Sequence, residues 1–463
     1  MNQEYKNLAK NSVLFAIANL GSKLLKFIIV PFYTYYLSTT QYGTVDTITT
    51  TISLLSPFIL LGINEAALRF SMKEACDPDS VFVNCFFVLA MTSVLGLLLS
   101  TVITRFSIFD GYWWIFYLIL IATSFETLLM YYARGVGRNG VFAFSGIVST
   151  VVLLSSNILF LVCLKSGEMG YLFSVFLSSL SSIFFISLKL KIFHFFRINA
   201  LNKTLILSML RYSLPLMPNA IMWWIMNSSD RYAVLWVLGV SSAGIYAISY
   251  KIPSIMSTFV GIFHQAWQLS AIRQSKADNK NTFFTSVFNA FSSSSFIVAS
   301  IMLLFIRPMM LIFDNSYIDS WKYAPFLLLG AVFSGMSGFV GVNYTVSEKT
   351  LGAFITSAVG AVINIILNII LTPLIGMQGT SIATFVSFYI LWLVRTLQTY
   401  RYVEFRPNFV LIHANLFFIL IETMVVLFNG SIAIIFFCIA MLFWLNRTFI
   451  VSTIKSVVPL VKK

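Results

Sequence analysis

Charged residues are scarce in this chain of 463 residues, because Asp, Glu, Lys and Arg together make up only 10% of it. A soluble globular protein carries about 25% charged residues, so that class is excluded. Apolar residues take their place: 59% of the residues are hydrophobic, 16% are aromatic, and the mean hydropathy is +0.89. This composition predicts an all-α polytopic membrane protein.

Thiols and imidazoles are also few, with four Cys and three His. The four cysteines are scattered and have the spacing of neither a disulfide framework nor a metal site; they are Cys76, Cys85, Cys163 and Cys438. No Gly-rich nucleotide loop follows any of the apolar runs, so the sequence offers no machinery for an ATP-driven pump. We predict neither a metal nor an organic cofactor.

Acidic residues number 16 against 30 Lys and Arg, which gives a net charge of +14. Such a balance is typical of nucleic-acid binding in a soluble protein, but in a membrane protein basic residues collect in cytoplasmic loops. We therefore expect no nucleic-acid partner.

Long apolar runs dominate the chain. A helix needs about 20 apolar residues to cross the hydrocarbon of a bilayer, and fourteen runs meet that requirement when each is ended at charges or Pro/Gly clusters. Spans 1 to 7 are Ser12–Tyr33, Thr44–Ile63, Val81–Ile103, Tyr112–Tyr132, Val141–Leu164, Gly170–Leu188 and Leu214–Leu238. Spans 8 to 14 are Gly244–Phe263, Thr282–Ile306, Tyr323–Val346, Leu351–Leu371, Gly379–Gln398, Phe409–Phe428 and Ser431–Ile450.

Basic residues alternate between the connections. The odd-numbered connections carry only four of them, and most of the others lie in the termini and the even-numbered connections; the four are Arg105, Lys165, Arg307 and Lys322. Since Lys and Arg mark the cytoplasmic side, both termini are predicted to be cytoplasmic. The most basic connection, Lys189 to Arg211, is the natural midpoint.

The two sides of this midpoint share sequence landmarks. LSTTQYG at Leu37–Gly43 reappears 201 residues later as LGVSSAG at Leu238–Gly244, and GEMG at Gly167–Gly170 reappears 209 residues later as GMQG at Gly376–Gly379. We infer two six-helix lobes in parallel orientation, residues 1–200 and 201–405, followed by a terminal helix pair and tail, 406–463. Internal duplication of this kind is typical of alternating-access transporters.

Cations are predicted inside the membrane in span 1 of the first lobe and in spans 7 and 8 of the second. Lys23 and Lys26 share one face of span 1, Arg231 lies within span 7, and Lys251 lies within span 8. A charge at the bilayer centre costs several kcal/mol, roughly 2.5 to 3.5 on insertion scales, so such groups usually face a wet interior. The functional interpretation is a cavity for an anion such as a phosphate or pyrophosphate.

The alternative is structural. Each of these cations could be neutralised by a carboxylate such as Asp46 or Asp230, or reach an interface. Span 2 is itself polar, with Asp46 followed by Thr47 and Thr49 to Thr51. Asp46 and these hydroxyls suit a sugar, although close packing of small residues explains them equally well.

Four motifs stand out along the chain: PFYTYYLSTTQYG from Pro31, RYSLPLMP from Arg211, SSDRYAV from Ser228 and AGIYAISYKIP from Ala243. They resemble motifs of the Wzx-type O-antigen and polysaccharide flippases of the multidrug/oligosaccharidyl-lipid/polysaccharide exporter superfamily. The resemblance implies a flippase in the bacterial cytoplasmic (inner) membrane. Its substrate would be an undecaprenyl-pyrophosphate-linked oligosaccharide, moved from the inner to the outer leaflet.

This resemblance also implies site residues and partners. Related lipid II flippases use basic residues on helices 1 and 8, which by position correspond to Lys23 or Lys26 and to Lys251. A polysaccharide polymerase and a chain-length regulator would act with the protein in the membrane lipid. The glycan stays open, because O-antigen of lipopolysaccharide, capsule, common antigen and teichoic acid pathways all fit.

An ion gradient is the expected energy source. Asn364 and Asn368 lie four residues apart in span 11, Thr380 and Thr384 lie four apart in span 12, and Asp230 lies in span 7. Together they offer about five oxygens for Na+, and related flippases build a sodium site on the same three helices. The alternatives are H+ coupling, hydrogen bonding between helices worth about 0.6 to 2 kcal/mol each, or pairing of the aspartate with the neighbouring arginine.

Two other functions compete with a flippase. A multidrug or metabolite exporter of the same superfamily would need an acidic cavity for organic cations, and span 1 offers lysines instead. A membrane polysaccharide polymerase would need a catalytic outer loop, yet the longest one, Arg307 to Lys322, contains only Asp314 and Asp319 as acids. We therefore predict a transporter rather than an enzyme.

Overall fold

The computed structural model describes residues 29–73, 76–103, 111–192, 201–274, 280–347 and 349–449. Within those ranges the chain is helical and contains no strand, which confirms the predicted all-α class. The helices of the first half are α1 (29–36), α2 (Thr39–Leu60), α3 (Ile63–Ser71), α4 (Pro78–Ile103), α5 (Trp113–Gly135), α6 (Asn139–Asn157), α7 (Gly167–Leu190) and α8 (Lys203–Ser213). The others are α9 (Met217–Leu238), α10 (Val240–Ser249), α11 (Lys251–Gln274), α12 (Lys280–Met310), α13 (Ala324–Val346), α14 (Thr350–Ile375), α15 (Met377–Thr399), α16 (Phe409–Leu427) and α17 (Ile432–Leu445).

Nine of these helices are long and apolar enough to cross a membrane, and the number rises to eleven if two bent pairs each count as one span. Every predicted span after the first coincides with a helix or a bent pair in the described ranges. α9 is not among the eleven because polar residues around Asp230 lower its hydropathy, and α17 has only 14 residues. Span 1 lies largely outside the described residues.

The chain divides into two compact units, Met1–Trp224 and Ile225–Lys463. In unit 1, α7 packs against α5 and α6, and α3 packs against α5; in unit 2, α15 packs against α13 and α14, and α11 packs against α13. Each unit therefore uses the same pattern of packing, in the order that the duplicated landmarks predict. The terminal helices α16 and α17 pack on each other and on α12.

The second span of each half is a bent pair of helices. α2 and α3 meet at 55° and α10 and α11 at 42°. In unit 1 the break falls at Gly62, whose φ of +67° is left-handed and whose missing Cβ leaves room for the Ser213 carbonyl at the end of α8. The short helix α8 thus packs against the break, although the sequence predicted only a connection there.

The paired glycine motifs have a shared structural reason. The first glycine of each, Gly167 and Gly376, adopts a left-handed φ of +55° and +65°. The second glycine allows close packing, since a Cβ on Gly170 would lie 2.9 Å from the Phe160 Cβ and one on Gly379 would collide with the Leu371 backbone. Both turns reverse the chain tightly from one long helix into the next.

The interiors of both units mix aliphatic and aromatic side chains. One buried cluster of unit 1 includes Ile48, Ile63 and Phe116. Unit 2 contains an aromatic stack in which the ring centres of Trp267 and Phe339 lie 4.0 Å apart. Large apolar side chains such as Phe428 and Leu374 are mostly exposed, as expected of surfaces that face lipid.

Candidate functional site

A buried carboxylate occupies the middle of α9 in unit 2. Asp230 is fully inaccessible, and its Oδ2 accepts hydrogen bonds from the hydroxyls of Tyr246 (3.0 Å), Tyr250 and Thr384 (3.1 Å). Its Oδ1 accepts one from the backbone N–H of Arg231 at 2.9 Å. The charge of Asp230 is therefore surrounded by four neutral donors drawn from α9, α10 and α15, in keeping with the rule that buried charges are hydrogen-bonded.

An amide pair on α14 lies beside the same stretch of α9. Asn368 Nδ2 donates to Asn364 Oδ1 at 3.0 Å, and the hydroxyl of Ser229, the neighbour of Asp230, donates to the same oxygen at 3.0 Å. Among the residues that the structure describes, Asn368 Oδ1 and Asn364 Nδ2 are buried without a hydrogen-bond partner. An oxygen without a donor inside a helix bundle is an available ligand for a cation or a water molecule.

The five residues predicted for cation coupling thus lie on three neighbouring helices of unit 2, but not all of them meet. Thr384 contacts Asp230 directly, while Asn364 and Asn368 are linked to it through Ser229. The hydroxyl of Thr380 instead pairs with Thr372 at 2.9 Å. The structure shows no single shell of five oxygens, and their role in coupling stays a prediction.

Two predicted cations lie next to Tyr250, one of the tyrosines that bind this carboxylate. The guanidinium carbon of Arg231 is 4.9 Å from the ring centre of Tyr250, within the range of a cation–π contact. Lys251 follows Tyr250 directly and is the first residue of α11, at the break between α10 and α11. Both side chains are half-buried, so two positive charges stand at an interrupted helix in a membrane span.

The structure gives less support for a substrate role of the other predicted residues. Lys23 and Lys26 lie outside the described residues. Asp46 is buried in α2 of unit 1, at 9% exposure. The threonine hydroxyls around it donate to carbonyls one turn back in the same helix, as Thr47 does to Gly43 O at 2.8 Å and Thr51 to Thr47 O at 2.7 Å. These donors are already used, which is the pattern that packing alone predicts.

Sequence reasoning missed the tyrosines that bind Asp230. Tyr246 and Tyr250 lie four residues apart in AGIYAISYKIP, a spacing that places both on one face of a helix, so a signal was present. It also missed Arg395 of α15, which is 2% exposed. Its guanidinium donates to Thr356, Ser357 and the Ser337 carbonyl, which fastens α15 to α13 and α14.

Comparison with known proteins agrees with this architecture. Residues 8–268, more than half of the chain, match the polysaccharide biosynthesis protein family. An uncharacterized membrane protein of Methanocaldococcus jannaschii is 23% identical over 407 residues, which cover 82% of this chain and 95% of that relative.

Two groups of solved structures share the fold. The lipid II flippase MurJ in an inward closed conformation has a TM-score of 0.65 at 15% identity, covering 95% of this chain and all of that one. An inward-facing multidrug resistance MATE transporter of the MOP superfamily has a TM-score of 0.64 at 13% identity, covering 83% and 98%. The chain therefore shares the fold of these two transporters. Because residues 8–268 match this family over more than half of the sequence, the chain belongs to the polysaccharide biosynthesis protein family.

Proposed function

We propose that this protein is a flippase that moves an undecaprenyl-pyrophosphate-linked oligosaccharide from the inner to the outer leaflet of the bacterial cytoplasmic membrane by alternating access. The observation that carries this proposal is the interrupted span α10/α11, with Lys251 at the break and Arg231 beside it. The family description and the likeness to a lipid II flippase support the same class of substrate.

An interrupted helix with cations suits a pyrophosphate for two reasons. The start of a helix carries the positive end of the helix dipole, which favours an anion near the first turn of α11. Transporters commonly aim such half-helix ends at anionic substrate groups. Lys251 and Arg231 add full charges, and charge-assisted hydrogen bonds to phosphate are roughly twice as strong as neutral ones.

The further parts of the proposal come from the sequence pattern and the resemblance rather than from the geometry. Both termini lie in the cytoplasm, Lys23, Lys26 and Asp46 take part in substrate binding, and a polysaccharide polymerase and a chain-length regulator act on the product. Na+ or H+ coupling would use Asp230, Asn364, Asn368, Thr380 and Thr384.

A multidrug exporter is the second candidate, because MATE transporters share this fold nearly as well as MurJ does. The charges in unit 2 separate the two functions. An organic cation would be repelled by Arg231 and Lys251, whereas a pyrophosphate would be attracted.

The test uses proteoliposomes that contain the purified protein and the lipid-linked oligosaccharide of the source cell. Lys251→Ala and Arg231→Ala should each slow translocation at least about ten-fold, since a hydrogen bond to a charged group is worth about 1.5–3 kcal/mol. Lys251→Arg and Arg231→Lys should do less harm.

Lys322→Ala is the matched control, because this lysine is exposed and pairs with Asp319 at 2.8 Å. Its translocation rate should equal that of the wild type. Full translocation by the double variant Arg231→Ala/Lys251→Ala would overturn the pyrophosphate assignment, and export of organic cations by the wild type would favour the second candidate.

A further inference from the structure

The duplicated motifs of unit 1 meet in a polar pocket that the proposed transport mechanism does not use. LSTTQYG contributes Gln41 and GEMG contributes Gly167 and Glu168, and with Tyr112 and Lys165 they line a cavity of about 460 Å³. The pocket lies where α2, α5 and α7 all begin. The topology prediction places this end of unit 1 on the external side of the membrane. Its volume is within the range of about 300–1,000 Å³ typical of small-molecule sites.

The pocket is held in shape by specific contacts. The hydroxyl of Tyr112 donates to Glu168 Oε1 at 2.6 Å, which joins the start of α5 to the first turn of α7. Gly167 has a left-handed φ of +55°, and a Cβ on it would lie 3.0 Å from Gln41 Nε2. The absence of a side chain therefore lets the Gln41 amide lie against the turn before α7.

The corresponding corner of unit 2 shows that the fold does not require these polar groups. By the repeat offsets, Glu168 corresponds to Met377 and Gln41 to Ser242. Tyr112 and Tyr323 correspond by position, because each directly precedes a helix of the fourth span, α5 in unit 1 and α13 in unit 2. Tyr323 and Met377 both pack against one apolar cluster. The same corner is therefore built with hydrophobic packing in one unit and with a carboxylate, an amide and an ammonium in the other.

We infer that the pocket of unit 1 is a saccharide-binding site. A sugar presents hydroxyls that both donate and accept, and here Glu168 accepts while Gln41 and Lys165 donate. Gln41 donates through Nε2, because its Oε1 already accepts from the Ser38 N–H at 3.1 Å. The ring of Tyr112 adds an apolar face with a polar tip. Pockets that combine a few convergent polar groups with an aromatic wall fix the orientation of such a ligand. The inference deepens the proposed function and rests on it for the source of the sugar, which would be the glycan of the transported unit after it reaches the outer side.

The test measures binding without transport. The full-length protein is placed in nanodiscs, which avoids sugar-based detergents, and is mixed with the single-repeat oligosaccharide released by mild acid from the source cell's lipid-linked oligosaccharide. Saturation-transfer NMR then reports contact with the sugar protons. The wild type should transfer saturation at millimolar oligosaccharide, and Glu168→Met, which installs the residue of unit 2, should reduce the transfer at least five-fold.

Two further variants guard against misfolding and non-specific contact. Lys165 is exposed, so Lys165→Ala removes a donor without removing packing and should also weaken the signal. Ser242→Ala, at the position in unit 2 that corresponds to Gln41, should leave it unchanged. Equal transfer in the wild type and all variants, or none in the wild type, would overturn the inference.

The outcome separates this site from the proposed function. A wild type that translocates lipid-linked oligosaccharide but binds no free oligosaccharide overturns the saccharide site alone. A wild type that binds the oligosaccharide through Glu168 but does not translocate overturns the flippase proposal alone.

Discussion

Thr384 donates a hydrogen bond to Asp230 across 3.1 Å, which joins α15 to the middle of α9. Two tyrosine hydroxyls and the Arg231 N–H complete the set of donors around this carboxylate. A cation that entered here would take over the carboxylate oxygens from neutral hydroxyls, and so its binding would reorganise contacts among three helices of unit 2. Such differential contact is what an ion needs to shift a conformational equilibrium.

Replacement of Asp230 is therefore expected to uncouple transport from an ion gradient. Asp230→Asn keeps the size of the side chain and removes its charge, so an imposed Na+ or H+ gradient should no longer accelerate translocation. Asn364→Ala should weaken the acceleration, because it removes one amide oxygen. The measurement is translocation or substrate-dependent ion flux in proteoliposomes with and without each gradient.

Ser387→Ala is the control for this experiment. Ser387 is buried one turn from Thr384, and its hydroxyl donates within its own helix to Ala383 O at 2.6 Å. The variant should respond to the gradient as the wild type does. If Asp230→Asn responds as well, this carboxylate is not the coupling group; if neither gradient changes the wild-type rate, translocation runs down the gradient of the substrate itself.

The close-packed glycines are expected to tolerate no side chain. Gly379→Ala would drive a methyl group into the Leu371 carbonyl, and because the obstacle is backbone it has no rotamer to escape into. Overpacking of this kind costs about 1–3 kcal/mol or more. Thermal unfolding in detergent should show a lower melting temperature for Gly379→Ala, and a smaller loss for Gly170→Ala, which meets a side chain.

Gly146→Ala is the matched comparison in the same fold. Gly146 is inside α6 and has nothing within 4 Å of its would-be Cβ. Since Ala is the better helix former by roughly 0.8–1 kcal/mol, this variant should be as stable as the wild type or slightly more stable. An unchanged melting temperature in Gly379→Ala would show that the turn relaxes more easily than its geometry indicates.

Topology is testable with single cysteines in a variant whose four native cysteines have been replaced. Cysteines at the exposed positions Ser166 and Ile375 should react with a membrane-impermeant thiol reagent in intact cells, because the predicted orientation places both outside. A cysteine at Asn202, before α8, should react only after the cells are opened. External labelling at Asn202 would reverse the orientation derived from the basic residues.

Helix positions are largely predictable from the sequence because a bilayer demands long apolar runs. Span 11, predicted at Leu351–Leu371, corresponds to α14 at Thr350–Ile375. The breaks within spans are harder to predict, since an apolar run has the same composition whether the helix is straight or bent. A signal exists at the second break, where Pro253 disfavours helical backbone at the residue before it.

The polar site could be predicted only in part. A spacing of four residues places Asn364 and Asn368 on one helix face, and the structure confirms that they contact each other. Which residues of other helices meet them depends on packing, which spacing does not encode. Arg395 shows the same limit, because its acceptors on α13 and α14 are neutral hydroxyls and carbonyls that carry no signature in the sequence.

The length of α12 has a consequence for the surrounding membrane. Its 31 residues place Lys280 about 40 Å from Arg307 at 1.5 Å per residue, close to the thickness of roughly 40–45 Å of a bilayer with its headgroup regions. Arg307 is fixed at one end, with its guanidinium 4.1 Å from the ring centre of Trp321, an aromatic residue suited to the interface. A rod with both ends at headgroups has little freedom to slide, so a thinner bilayer is accommodated by tilting α12, and the helices packed on it tilt as well. We therefore expect the tilt of these unit 2 helices to depend on the length of the lipid chains.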